Sequence, residues 1–431
     1  MEYVVVAVSA LILILLVHAS FETRLTWRVL PVLVLAFAAR LVVHVLLLRG
    51  GVIDYGGDNF AYELRALEIV AYWRSEGFGF VTAEEIPSLY SAAGPCHVFA
   101  LVVYLCGGPA PLACAAVVAL LACGLCTVLY KFARLVGADE RSALRLLVFT
   151  AFLPTLLVHT SDTFKDGFNA FLVLICLWLA ASNAQRFDVR KVLALVPLLW
   201  ALWYVRPYMV FMCALPLLFG VIKPNRAVSL RLVVFSLVLL TAAAVQLDDT
   251  LSSGPIATMQ EELERGQASN VRVSNAEGES GVLFDDGGNP WSRLGPKILY
   301  TLLSPFPWTP GSTTLQLGKI EVLLLYFLFY WAVVGARRLW RHDRRMLLLL
   351  LLFIVPSTVA YATTMANIGL IFRQRIPIVL VVSLLAAVGW TGARRGARRF
   401  AGQPAVTAPG TPAPGTPAPG TPVTAPAAAA P

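Results

Sequence analysis

Apolar runs of 15 to 20 residues recur along most of the chain, at 3–19, 30–49, 110–130, 146–160, 168–184, 191–205, 208–222, 231–247, 318–336, 345–362 and 375–391. A bilayer core about 30 Å thick takes roughly 20 apolar residues per helix, and the shorter runs reach across by tilt or flanking turns. The runs lack the strict alternation of a transmembrane barrel strand. The pattern therefore predicts an all-α polytopic membrane protein with about 11 transmembrane helices. Run 3–19 follows a single acid, Glu2, and has no basic segment before it, so it reads as a retained helix rather than a leader.

Two apolar segments fall outside this series. His97–Cys106 is about ten residues, bounded by Gly94-Pro95 and Gly107-Gly108-Pro109. It is too short to span and reads as an in-plane or re-entrant outer helix. Ile298–Leu303, followed by Pro305-Phe306-Pro307-Trp308, takes the same reading. Between Asn59 and Arg74 the pattern is that of an amphipathic helix lying on the membrane.

Charge then fixes the sides. Six short connections are basic: Arg24 and Arg28; Lys131, Arg134, Arg141 and Arg145; Arg186, Arg190 and Lys191; Lys223, Arg226 and Arg231; Arg337, Arg338, Arg341, Arg344 and Arg345; Arg394, Arg395, Arg398 and Arg399. They hold 21 of the 34 basic residues but only 5 of the 25 acids, so the positive-inside rule assigns all six to the cytoplasm. The N-terminus is then outside, the C-terminus inside, and the membrane an inner (cytoplasmic) one crossed many times. Outer loops run over 50–109 and 248–317. Three regions are expected: 1–29, an extra N-terminal helix with its cytoplasmic loop; 30–400, the main transmembrane domain; and 401–431, a Pro/Ala/Thr/Gly-rich tail too poor in core residues to order.

Composition adds two exclusions. Charged residues make up 14% of the chain against about 25% in soluble domains, and 58% are hydrophobic. The net charge of +9 lies in the basic connections and carries no implication of nucleic-acid binding. Cys123 and Cys126 are spaced as a redox pair, but they sit inside an apolar run without a nearby His and read as small hydrophobes.

The candidate chemistry gathers on the outer side. Asp54-Tyr-Gly-Gly-Asp58-Asn-Phe-Ala-Tyr62-Glu63 opens the first outer loop. Asp58 sits at the expected N-cap of the amphipathic helix, a place where acids are favoured anyway. It is also placed as a general base facing a lipid substrate. Arg40 lies within the second run, on the helix that carries His44. Intramembrane charge faces a bundle interior, as part of a site or in a structural pair. The outer turn His159-Thr-Ser-Asp162-Thr-Phe-Lys165-Asp166 offers Lys165 for a phosphate, and Asp162 or Asp166 to orient it or hold a metal. Arg206, Arg373 and Arg375 are arginines on the acidic side, suited to bidentate phosphate binding or to snorkelling. No nucleotide-binding glycine motif occurs, and no Ser-His-Asp pattern is readable.

In this order, Asp58-xxx-Tyr62, Pro87-Ser-Leu-Tyr90, His97 to Gly107, Phe152-Leu-Pro-Thr155 through Lys165-Asp166, Pro305-Phe-Pro-Trp308 and Arg373-Gln-Arg375-Ile-Pro377 resemble the bacterial GT-C membrane glycosyltransferases. The branch is that of protein mannosyltransferases and aminoarabinose transferases, similar to glycosyltransferase family 39. The likeness covers roughly residues 30 to 395. It implies a polyprenyl-phosphate sugar donor, an inverting transfer and an outward-facing cavity. The acceptor would be a glycan, lipid or protein of the envelope or an exopolysaccharide, and the chain's other partners membrane lipids, not nucleic acid. By resemblance, Asp58 would deprotonate the acceptor, while Arg375 with Lys165 or Arg206 would hold the leaving phosphate. Tyr62, Arg40, Asp162, Asp166 and Arg373 complete the set, and a divalent metal is the candidate cofactor. The family often has Asp-Glu where this chain has Asp58-Asn59, so the base stays open between Asp54 and Asp58. Alternatives are a lipid-linked polysaccharide polymerase or ligase, whose large loop would carry Arg and His, and a lipid or polysaccharide transporter, which predicts inverted repeats.

Overall fold

A computed structural model describes residues 1–52, 57–89, 92–221, 313–364 and 367–401, with 264–276, 288–309 and a few single positions between 261 and 284. The expected span 231–247 and the tail 402–431 lie outside the described residues, as does Asp54. The chain divides into two units, Met1–Gly392 and Ala393–Pro431, and the helical bundle belongs to the first.

The described residues form helices and turns, with no strand among them. In chain order the helices are α1 (Glu2–Ser20), α2 (Thr23–Val43, continued by a π turn His44–Leu48), α3 (Asp58–Glu76), α4 (Ala93–Cys106), α5 (Pro111–Val136), α6 (Glu140–Ala151), α7 (Pro154–His159) and α8 (Asp166–Gln185). There follow α9 (Val189–Trp203), α10 (Pro207–Val221), α11 (Ser269–Ala276), α12 (Leu294–Leu303), α13 (Thr313–His342), α14 (Arg344–Thr363), α15 (Ile368–Gln374) and α16 (Ile376–Ala401). Among the described residues six stretches are long and apolar enough to cross a bilayer: Glu2–Ser20, Thr23–Leu48, Pro111–Val136, Asp166–Gln185, Gly318–His342 and Arg344–Thr363. A seventh would be α15 with α16, bent by 57° at Arg375.

The bundle is organised around α5. Its stripe of Ala113, Ala116, Ala119, Cys123 and Cys126 is buried. Small side chains let neighbouring backbones come close where lipid offers no hydrophobic drive. On it pack α1, α2, α6 and α8; α8 then meets α9 and α10, α10 meets α14, and α14 meets α12 and α13. The amphipathic α3 lies along α4, both between α2 and α5. Pro111 opens α5, and Gly107 and Gly137 close α4 and α5 with φ of 82° and 107°, where a glycine costs least.

Three expectations change in detail. The run 146–160 is not one helix: it breaks at Phe152-Leu153, and Pro154 restarts the chain as α7 because it cannot donate to the preceding turn. The short helix expected from His97 begins at Ala93, with Pro95 tolerated in its first turn. Asp58 is the first helical residue and not the cap of α3. Gly57, at φ 77°, occupies the cap position, and the Asp58 carboxylate pairs with Arg373 instead.

Candidate active site

Asp58 reaches α15. Its Oδ2 pairs with Nη1 of Arg373, and Nε of the same guanidinium donates to Asp166 Oδ2 at 3.0 Å. Asp166, the first residue of α8, also accepts from Arg206 Nη2 at 2.7 Å. Arg206 lies at the α9–α10 turn and donates its Nη1 to the Tyr208 hydroxyl at 3.0 Å. Four elements distant in sequence are thereby linked by one alternating chain of charge: Asp58, Arg373, Asp166, Arg206. Its exposure is graded. The Asp58 side chain is 47% exposed, Arg373 11% and Asp166 1%. The network thus runs from a buried anchor outward to an accessible carboxylate. Tyr62, one turn into α3, is buried beside it. Burial first, then the Asp166 and Asp58 charges, raise the pKa of its phenol against the opposing pull of Arg373 and Arg206. The hydroxyl therefore stays a proton donor.

A second cluster adjoins it through α3 and the turn before α8. Asp162 accepts from Arg49 Nη2 at 3.0 Å, Asn59 Nδ2 at 2.9 Å and the Thr163 amide at 2.8 Å, and lies 3.4 Å from His44 Nδ1. Arg49 also pairs with Glu63, while Thr163 Oγ1 donates to the Asn59 carbonyl at 3.0 Å. Burial alone would raise the Asp162 pKa. The His44 hydrogen bond and charge, then Arg49 and Asn59, outweigh it and hold the carboxyl at about 2. Sequence reasoning missed Arg49, Asn59 and Glu63 as a unit. The available signal was Arg49 itself, a basic residue closing an apolar run on the acidic side. Asn59 also has a local reason: an acid there would set a second carboxylate against Asp162, whereas the amide donates to it.

Two of the predicted arginines lie deeper. Arg40 is fully buried and donates Nε to Thr160 Oγ1 at 2.8 Å and Nη1 to the carbonyls of Ala36 and Ala151 at 2.9 and 3.1 Å. Ala151 ends α6, so its carbonyl lacks a helical donor, and Arg40 satisfies the break. Arg375 is buried at the α15–α16 bend. Its Nη1 donates to Ser304 O at 2.6 Å and its guanidinium lies 4.5 Å from the Phe372 ring. It therefore braces the Ser304-Pro305-Phe306 segment, and it is Arg373 that stands beside Asp58. Glu321, which sequence reasoning passed over, is buried within α13 and accepts from Thr155 N and Oγ1, both at 2.6 Å, so satisfying the first turn of α7. Lys165, partly buried, directly precedes α8.

For a divalent metal the fit is poor. No three His, Cys, Asp or Glu gather as a ligand group among the described residues. Asp58, Asp162 and Asp166 are each engaged by guanidinium groups, and no step through a metal is derived.

At the sequence level no protein-family model matches the chain, and no curated protein matches it. Among solved structures, the archaeal oligosaccharyltransferase AglB from Archaeoglobus fulgidus, determined in complex with an inhibitory peptide and a dolichol-phosphate, is similar at a TM-score of 0.51 and 15% identity. The match covers 89% of this chain and 53% of that one, so this chain spans about half the length of that protein. At this identity the likeness concerns the fold: an all-α, GT-C-like membrane architecture.

Proposed function

We propose that the chain is a membrane glycosyltransferase that moves a sugar from a polyprenyl-phosphate donor to an envelope or exopolysaccharide acceptor on the outer face of an inner membrane. One observation carries the reading: an accessible carboxylate, Asp58, stands against an arginine, Arg373, whose other side is anchored on the buried Asp166–Arg206 pair. A base for an acceptor hydroxyl and a cation for a leaving phosphate are thus side by side at the edge of the bundle. The GT-C-like fold supports this reading, as does the fact that the similar archaeal enzyme was solved with a dolichol-phosphate.

In the proposed reaction Asp58 accepts the proton of the acceptor hydroxyl. The acceptor oxygen attacks the anomeric carbon from the face opposite the phosphate, and the carbon–oxygen bond to phosphate breaks with its electron pair on the leaving group. Arg373, supported by Arg206 and Lys165, neutralises the polyprenyl phosphate as it forms. Charge stabilisation of that kind is the largest single contribution in most enzymes. The donor phosphate competes with Asp58 for Arg373, so donor binding also releases the base. Tyr62, held as a proton donor beside them, is placed to hydrogen-bond a sugar hydroxyl or a phosphate oxygen. Arg375 and Arg40 act from behind by fixing the segments that carry the site. Asp54 remains the second candidate base.

The test is transfer in membranes supplied with lipid-linked sugar donors, comparing Asp58→Asn and Asp54→Asn with the parent chain and reading release of polyprenyl phosphate. Asp58→Asn should lower the rate by about 10²- to 10⁴-fold, the usual contribution of a general base. Full rates in both variants at parental protein levels would end the proposal.

A further inference from the structure

A groove of about 330 Å³ runs between α1 and the central helix α5, away from the chemistry assigned to the ion-pair network. Its α1 wall is Ile12, Leu16 and Ser20; its α5 wall climbs from Val117 past Gly124 to Lys131. These positions recur every three or four residues, so each wall is one helical face. At 1.5 Å per residue the α5 wall is about 21 Å long, against roughly 15 Å for one leaflet of a 30 Å hydrocarbon core. Gly124 faces Phe171 of α8, which with Trp178 completes the lining. The lining is apolar along its length except at one end, where Ser20, Thr127 and Lys131 stand together.

Lys131 is the informative residue. It is only half-buried, its ammonium lies 6.0 Å from the Phe21 ring, and it makes no salt bridge among the described residues. The nearby cation Arg134 is already used, donating to the Ala138 carbonyl at 2.7 Å. The basic connection thus sets an ammonium at the mouth of an apolar slot longer than a leaflet is deep. A water-filled slot of this kind inside a bilayer would be costly, and a neutral lipid would leave the ammonium unanswered.

From this arrangement we infer that the α1–α5 groove is a binding site for an anionic phospholipid of the leaflet on the basic side, with one acyl chain along the groove and the phosphate on Lys131. The slot fits a single chain with one phosphodiester, and charge complementarity selects an anionic headgroup over a zwitterionic one. The inference is independent of the transfer reaction. It also gives α1 a role, as the outer wall that turns a face of the core into a slot.

The test is native mass spectrometry of the full chain in mild detergent, titrated with phosphatidylglycerol or phosphatidylcholine of identical acyl chains. The variants are Lys131→Gln and Val128→Trp, the second filling the groove from a partly exposed position. The parent chain should retain phosphatidylglycerol about fivefold better than phosphatidylcholine, matching the attraction of one lysine for anionic lipid. Lys131→Gln, a change at the membrane edge that leaves the core intact, should lose the preference but still hold lipid. Val128→Trp should lower retention of both. Equal retention of the two lipids by the parent, or undiminished phosphatidylglycerol on either variant, would overturn the assignment. So would a two-chain mass that dissociates on adding lipid without retaining it, because the occupant would then be a second copy.

Discussion

Asp58 and Asp166 share one guanidinium, yet replacing each by Asn should have opposite consequences. Asp166 is buried and, among the described residues, is the only carboxylate paired with Arg206, itself 7% exposed. Asp166→Asn removes the counter-charge and leaves a buried guanidinium facing an amide. Breaking a buried pair from one side costs about 3–5 kcal/mol. Arg373 retains Asp58, so the lower end, about 3 kcal/mol, is expected here. In a chain of this size that corresponds to a fall in the apparent unfolding midpoint of about 3 °C. Asp58, nearly half in solvent, belongs to the class of exposed pairs worth about 0–1 kcal/mol, so Asp58→Asn should barely move the midpoint while lowering transfer about 10²- to 10⁴-fold. The assay is thermal unfolding of purified protein in detergent, followed by intrinsic fluorescence, beside the transfer assay. Arg206→Met combined with Asp166→Asn should recover part of the loss, because no unpaired charge then remains. An additive double variant, or an Asp58→Asn protein destabilised as strongly as Asp166→Asn, would refute the division into anchor and reacting end.

Asp162 sets a pH dependence. Its folded-state pKa of about 2 lies below the ordinary 3.8, so its stabilisation is fully present above pH 3.8 and is lost as pH falls through 2. The midpoint should therefore decline across that window, and the decline should be shallower in Asp162→Asn. Glu321→Gln replaces one of two acceptors at Thr155 with a donor and should cost about 1–3 kcal/mol; Thr155→Val should cost no more, because it keeps the backbone bond. Gly335 and Gly389 mark where α13 and α16 cross: a Cβ at either would collide with backbone of the other helix, at Leu385 and Trp331 respectively. Gly335→Ala should thus lower the midpoint by the equivalent of about 1–3 kcal/mol, as overpacking does, whereas Gly295→Ala, with nothing near its Cβ, should not.

The spans were legible because the bilayer imposes a single rule, enough apolar length to satisfy the backbone internally. Glu2–Ser20, Pro111–Val136 and Arg344–Thr363 follow from it directly. The places where reading by length failed are those where backbone groups are satisfied by side chains instead. The break at Phe152-Leu153 survives within the bundle because Arg40 answers the end of α6 and Glu321 the start of α7. Neither partner is near 152 in sequence, so no local pattern announces them. The site residues were legible as types, acids and arginines on the acidic side, but not as pairs.

That limit bears on Arg373 and Arg375, both candidates in the sequence. The two differ by two positions, and composition gives no ground to prefer one. The bend between α15 and α16 sends Arg375 inward to Ser304 O and leaves Arg373 on the side of Asp58 and Asp166. The same bend makes the partition of labour physically reasonable. A guanidinium held by backbone carbonyls, with the buried Glu321 as its nearby counter-charge, serves best as a brace. A guanidinium held between two carboxylates can give up the exposed one to an incoming phosphate and keep the buried one as its anchor. In the proposed reaction Arg373 would need no movement of the bundle to change partners, only loss of Asp58, and the carboxylate it would release is the proposed base.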